Sequence, residues 1–165
     1  MNEGQLSALA HVGALLDEAR LDYWLFGGWA VDFYTGWVTR RHDDIDLAVW
    51  LADLSRIAEL LECAGWRHAP EADEDGGTGY ERDGVRLELT FLVRAEDGRV
   101  AIPLRSGRAV WPEGAFGDGA GELDGVHARL IGLDALRRGK STPRDDPEDA
   151  AKDRADFRRL SIPRQ

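Results

Sequence analysis

The chain has 165 residues, 43% of them hydrophobic, which is enough to bury the core of one domain and too short for two of ordinary size. Its net charge is −10: from Val126 onward ten Lys and Arg stand against seven Asp and Glu, leaving 11 against 24 in residues 1–125. Such an acidic surface repels long nucleic acid and suits a cationic or neutral small substrate, or simply solubility; with no apolar run of membrane-span length and no secretory leader, a cytoplasmic protein is expected.

Leu6, Leu9, Val12, Leu16 and Ala19 recur at three- and four-residue steps, so Glu3 to Arg20 is predicted to be an amphipathic helix. Tyr23 to Phe26 reads as a short strand ending at Gly27-Gly28, and a second helix from Trp29 to about Tyr34 stops at Gly36. Ile45 to Trp50 is the next strand; Asp53 to Cys63 is a helix with Asp53 as its cap and Gly65 as its stop. The only cysteine, Cys63, excludes an internal disulfide and is expected to be buried among apolar residues. His68 to Gly79, containing EADEDGGTG, reads as a mobile loop or hairpin tip. Strands Tyr80 to Arg82 and Val85 to Val93 are joined by Asp83-Gly84, a strong hairpin signal, and Glu96-Asp97-Gly98 turns the chain toward Val100 to Pro103. WPEGAFGDGAGELDG reads as loop with Trp111 and Phe116 as anchors, either over the domain's own core or against a second copy in a homodimer. Val126 to Ile131 is a strand, followed by helices around Asp134 to Arg138 and from Pro147 to Leu160, the latter capped by Asp146. The order predicts a mixed sheet flanked by helices, α/β or α+β, in a single domain over residues 1–165.

Three carboxylates carry the chemistry. In a strand Asp44 and Asp46 share one face while Ile45 points into the core, and two acids on one pleat need a compensating cation. Mg2+ suits them, since it takes oxygen ligands and is typically held by one or two carboxylates plus substrate phosphates. Glu88 sits in the otherwise apolar RLELTFLV; if that strand lies beside the Asp44 strand, the three acids form a cluster fit for two-metal displacement at phosphorus. Gly27-Gly28, between strand and helix, lets the backbone approach a phosphate chain at a helix N-terminus. Arg40 and Arg41 either reach the same phosphates or pair with Asp43 and its neighbours. Asp32 either faces the cleft or pairs with one of those arginines. His42-Asp43 resembles half of a helical metal-dependent phosphohydrolase signature, but its surroundings are strand-like and His11, His68 and His127 show no ligand spacing, so surface or packing roles are expected.

This order of strand, Gly-Gly, helix, Asp-x-Asp strand and later acid is that of the nucleotidyltransferase superfamily. The stretch YWLFGGWAVDFYTGWVTRRHDDIDLAV resembles the small antibiotic nucleotidyltransferases, both the lincosamide enzymes and the aminoglycoside 2''-nucleotidyltransferases, in its GGW-hydrophobic-x-D pattern, later glycine, basic stretch and H-x-DID. The likeness to the lincosamide group extends through LEL and AKDRADF. The resemblance implies a nucleotidyltransferase-type mixed sheet. It also implies transfer of a nucleoside monophosphate, AMP from ATP foremost, to a hydroxyl of a small molecule such as a lincosamide or aminoglycoside, with release of pyrophosphate and two Mg2+ ions as cofactors. Asp44 and Asp46 carry over as metal ligands and Glu88 as the third acid, acting as ligand or as general base. The family usually has aspartate there, so glutamate either keeps the role with altered geometry or signals a changed or lost activity. Lys152 either contacts the triphosphate or makes a helix salt bridge, and Lys140 is a weaker candidate. Two other readings stand: a protein or tRNA hydroxyl as acceptor, and a nucleotide-binding module without catalysis. The acidic EADEDGG loop suits an aminocyclitol cation, whereas the wider likeness is to the lincosamide enzymes.

Overall fold

A computed structural model describes residues 2–162. Helix α1 (Asn2–Glu18) buries Leu6, Leu9, Val12 and Leu16, the stripe that its periodicity calls for. Strand β1 (Trp24–Phe26) runs straight into α2 (Gly27–Thr35), two residues earlier than the sequence suggests. Both glycines belong to that helix. It ends at Gly36 in the left-handed conformation (φ 86°), whose N–H bonds to the Asp32 carbonyl at 2.8 Å. Strand β2 (Ile45–Trp50) leads through a 3-10 turn to α3 (Leu54–Cys63). That turn keeps Asp53 in helical conformation, so its side chain makes no cap bond, contrary to expectation. Helix α3 buries Ile57 and Leu61, one turn apart; Cys63 lies about 200° round from Leu61 and is exposed, which corrects its expected burial.

Strands β3 (Arg67–His68), β4 (Gly77–Arg82), β5 (Val85–Arg94), β6 (Val100–Leu104) and β7 (Gly107–Val110) complete the main sheet. Its order is β1-β2-β5-β4-β3, with β6 on β5 and β7 on β6; β2 and β5 are parallel and the other pairs antiparallel. The 68–79 segment is the connection of the β3–β4 hairpin, and β4 already begins at Gly77. A second hairpin, β8 (Ala120–Leu123) with β9 (Val126–Arg129), occupies part of the expected loop. Both hairpins turn on Asp-Gly with positive φ at each residue, 50° and 77° at 83–84 and 48° and 80° at 124–125, matching the right-handed strand twist. Helices α4 (Leu133–Ser141) and α5 (Pro147–Leu160) close the chain; Asp146 caps α5 by accepting from the Glu148 and Asp149 amides.

The sheet's two faces differ. Ile45, Leu47, Val49, Leu87 and Leu89 point into the main core under the helices; burying a side chain of this size contributes about 1.5–3 kcal/mol. Ala48 and Leu92 point the other way, into a smaller cluster with Trp24. There Trp111 and Phe116 stack edge-on with each other (5.2 Å), with Phe26 (5.9 Å) and with Trp24 (5.1 Å). The 111–116 aromatics thus cover their own sheet. Among the described residues no helix is long and apolar enough to cross a membrane.

Candidate active site

The parallel register of β2 on β5 sets Asp46 directly beside Glu88, on the face turned away from the main core. Asp44 precedes Asp46 by two residues and shares that face. One carboxylate oxygen from each of Asp44, Asp46 and Glu88 lies within 4.8 Å of the others, so the long-range pairing brings the three expected acids together. Gly27 makes this possible. It has φ +68°, and a Cβ there would stand 2.2 Å from Asp46 Oδ2, so any side chain would be strained and would also displace the carboxylate.

Burial raises all three acids. Burial pushes Asp46 well above the ordinary carboxylate range, with the charges of Asp44 and Glu88 adding to it. Asp44 is raised by burial and by Asp43, and Glu88 by burial and by Asp44, with Arg86 (3.4 Å from Glu88) opposing in both cases. Protonation or a bound cation would relieve this concentration of negative charge.

The facing wall is basic. Arg40, Lys140, Arg144 and Lys152 line the same cleft of about 600 Å3, together with Gly27, Gly28 and the acids. Arg40 forks onto Asp156 (Nε 3.4 Å, Nη2 3.2 Å), while Lys140 sits between Asp153 (3.2 Å) and Asp156 (3.0 Å). Lys152 bridges Asp43 (3.1 Å) and Glu148 (3.2 Å), so it faces the cleft and makes a helix salt bridge at once. Burial would raise Asp156, but bonds from Arg40 and Lys140 outweigh it and hold its carboxyl low. Arg41 is exposed and lies outside the cleft lining.

Gly28 is closely packed as well. A Cβ on it would meet Arg40 Nη2 at 2.5 Å and His42 Nδ1 at 2.7 Å. His42 is buried, its ring 4.4 Å from that of Trp29, and its Nε2 is 2.5 Å from Asp32 Oδ2. Asp32 also accepts from the Thr39 amide at 3.1 Å. The partners of Asp32 are therefore His42 and Thr39 rather than Arg40 or Arg41, because α2 turns the Asp32 side chain inward, where its exposure is 0%. Sequence reasoning did not single out Arg144 or Asp156, gave Trp111 only an anchoring role, and noted Glu74 only as part of the acidic EADEDGG loop. Asp156 carried a signal in its place in AKDRADF; Arg144, Glu74 and Trp111 reach the cleft wall through tertiary packing.

Three carboxylates within one small cage, each raised chiefly by burial, form a hard-oxygen donor set that fits Mg2+. A mixed sheet bearing this triad beside a Gly-Gly helix start is the architecture of the nucleotidyltransferase fold. The crystal structure of ANT(2'')-Ia in complex with adenylyl-2''-tobramycin is similar, with a TM-score of 0.73 at 25% identity over 95% of this chain and 87% of that one. The lincomycin-bound lincosamide antibiotic adenylyltransferase LnuA shares the fold, with a TM-score of 0.69 at 21% identity over 89% and 90%. The chain belongs to the aminoglycoside-2''-adenylyltransferase family, which matches residues 8–160. In sequence it is 37% identical over 73 residues to a 2''-aminoglycoside nucleotidyltransferase of Klebsiella pneumoniae, a match spanning 44% of this chain and 41% of that relative.

Proposed function

We propose that this protein is a Mg2+-dependent nucleotidyltransferase that moves a nucleoside monophosphate, AMP from ATP, onto a hydroxyl of a small molecule of the aminoglycoside or lincosamide kind. The observation that carries the reading is the Asp46–Glu88 register, which brings three carboxylates within 4.8 Å beside the glycine start of α2. Family membership and the activities named for the similar proteins support the same choice.

In this reading Asp44 and Asp46 hold the cation, and Glu88 is its third ligand or the base that takes the acceptor's proton. A carboxylate raised by burial toward neutrality suits that task. Gly27 and Gly28 present the start of α2 to the phosphate chain, and Arg40 and Lys152, with Lys140 and Arg144, hold the β- and γ-phosphates. The acceptor oxygen attacks the α-phosphorus, the bond to the β-phosphate oxygen breaks, and pyrophosphate leaves with that electron pair while Glu88 takes the hydroxyl proton. Bound Mg2+ supplies charge neutralisation at the transferring phosphoryl group and activation of the attacking oxygen. Such chemistry draws on cytoplasmic ATP and Mg2+, the compartment proposed here. A homodimer would have to use surface other than the 111–116 aromatics, which are stacked within the chain; sedimentation at micromolar concentration decides it.

The test is pyrophosphate release with Mg2+ and each NTP against a panel of aminoglycosides and lincosamides. Release that requires one acceptor class and vanishes in Asp46→Asn and Glu88→Gln supports the reading. Acceptor-independent release, or activity retained in Asp46→Asn, would refute the assignment of the triad.

A further inference from the structure

We propose that Asp156, on α5 and outside the acid triad, is a positioning residue that holds Arg40 and Lys140 aimed at the phosphates of the nucleotide. The inference rests on the nucleotidyltransfer reading above and adds a residue to it.

Asp156 has no solvent exposure, and both of its oxygens are used. Oδ1 accepts from Arg40 Nε (3.4 Å) and Arg159 Nη1 (3.1 Å), while Oδ2 accepts from Arg40 Nη2 (3.2 Å) and pairs with Lys140 Nζ (3.0 Å). One buried carboxylate thus collects cations from three places: the segment leading to β2, helix α4, and α5 itself. A staple between α4 and α5 would need only Lys140. The Arg40 fork reaches outside that helix pair and fixes a guanidinium over the start of α2, where Nη2 fills the space a Gly28 side chain would take. Arg40 Nη1 donates to the Arg41 carbonyl at 3.1 Å, so the plane of the group is set from both sides.

Lys140 is held in the same way. Its ammonium has three donors, of which Asp153 and Asp156 account for two, and it lines the cleft within the electrostatic reach of Asp46. Asp153 is the weaker anchor: its Oδ2 is buried without a hydrogen-bond partner, and Arg144 Nη1 stands 3.9 Å away. Arg159, the third cation on Asp156, does not line the cleft. Asp156 therefore joins two cleft-lining cations to one point, and removing its charge frees Arg40 and leaves Lys140 on Asp153 alone, while the three triad carboxylates themselves stay in place.

The experiment is titration of each NTP, with Mg2+, into the wild type, Asp156→Asn, Asp156→Glu and Arg159→Gln, together with Mn2+ affinity by electron paramagnetic resonance. Asp156→Asn should weaken NTP binding by roughly tenfold or more, with Asp156→Glu recovering part of it and Arg159→Gln staying within about threefold. Mn2+ affinity should stay within about twofold throughout, which a merely structural role for Asp156 would not produce. Combining Asp156→Asn with Arg40→Lys should cost less than the sum of the two. If Asp156→Asn does not fold, Asp156→Glu, which keeps the charge and shifts its reach, carries the same comparison with Arg40→Lys. Unchanged NTP affinity, parallel loss of Mn2+ and NTP affinity, or strict additivity with Arg40→Lys would overturn the assignment. A wild type that binds Mn2+ but no NTP would instead overturn the nucleotidyltransfer reading, and this inference with it.

Discussion

The two walls of the cleft handle charge in opposite ways. On the β2–β5 wall Asp44, Asp46 and Glu88 lie close together, and burial, with repulsion from neighbouring carboxylates, raises all three. On the opposite wall Arg40, Lys140, Arg144 and Lys152 each already pair with a carboxylate: Asp156, Asp153 with Asp156, Asp149, and Asp43 with Glu148. One wall is frustrated and waits for a cation; the other is neutralised and preorganised. On the proposed reading, a triphosphate entering alone would meet excess negative charge, and the positive charge that admits it would arrive with the metal.

Substitutions on each wall should act in different ways. Asp46→Asn should lower turnover by about a thousandfold or more, since several kcal/mol of charge stabilisation are lost with the ion, as a pyrophosphate assay would read. The same variant should be more stable than the wild type without metal, by about 1 kcal/mol or roughly 2–4 °C in Tm, because a crowded carboxylate is gone; a Tm below wild type would contradict the frustrated wall. Gly27→Ala should cost about 1–3 kcal/mol in chemical denaturation and abolish the cation site, because it combines a positive φ with a clash on Asp46. Lys152→Met should raise the KM for the nucleotide about tenfold and leave the KM for the acceptor unchanged, a split read from steady-state kinetics.

The smallest effect is on pH dependence. A carboxyl raised in the folded state binds its proton more tightly there than in the unfolded chain. The triad therefore costs stability above its folded pKa values, and that cost disappears as pH falls through them toward the ordinary carboxylate value of about 4. Asp156 and Asp149 are lowered and act in the opposite sense: their stabilisation is present above about pH 4 and is lost below it. Metal-free Tm should thus rise as pH is lowered from neutral into the weakly acidic range and fall again below about pH 4, and saturating Mg2+ should flatten the upper limb. A metal-free Tm that declines steadily from neutral pH would contradict the raised triad.

Much of the acidic wall was legible in the sequence, because its signals are local. Asp44 and Asp46 sit at strand spacing, Gly27 marks a turn, and Glu88 stands out as an acid in an apolar run. What remained conditional was whether β5 lies beside β2, a pairing across some forty residues that no local pattern fixes. The Asp124-Gly125 hairpin carried the same two-residue signal as Asp83-Gly84 but was hidden among neighbouring glycines. The basic wall was hardly legible. Arg40, Lys140 and Asp156 come from three separated segments, and their meeting depends on how α4 and α5 dock, which side-chain periodicity does not encode. Cys63 shows the limit of pattern in the other direction, since a helix of ten residues buries only Ile57 and Leu61 and the apolar look of AELLECAGW overstates its inner face.

Titration of ATP into the wild-type protein over a range of Mg2+ concentrations separates a metal-dependent nucleotide site from one made by the basic wall alone. No measurable binding is expected without the cation and saturable binding once it is present, with binding lost in Asp46→Asn even at high Mg2+. ATP binding of equal strength with and without Mg2+ would contradict this expectation, because the basic wall alone would then suffice and the acid triad would have no part in admitting the nucleotide.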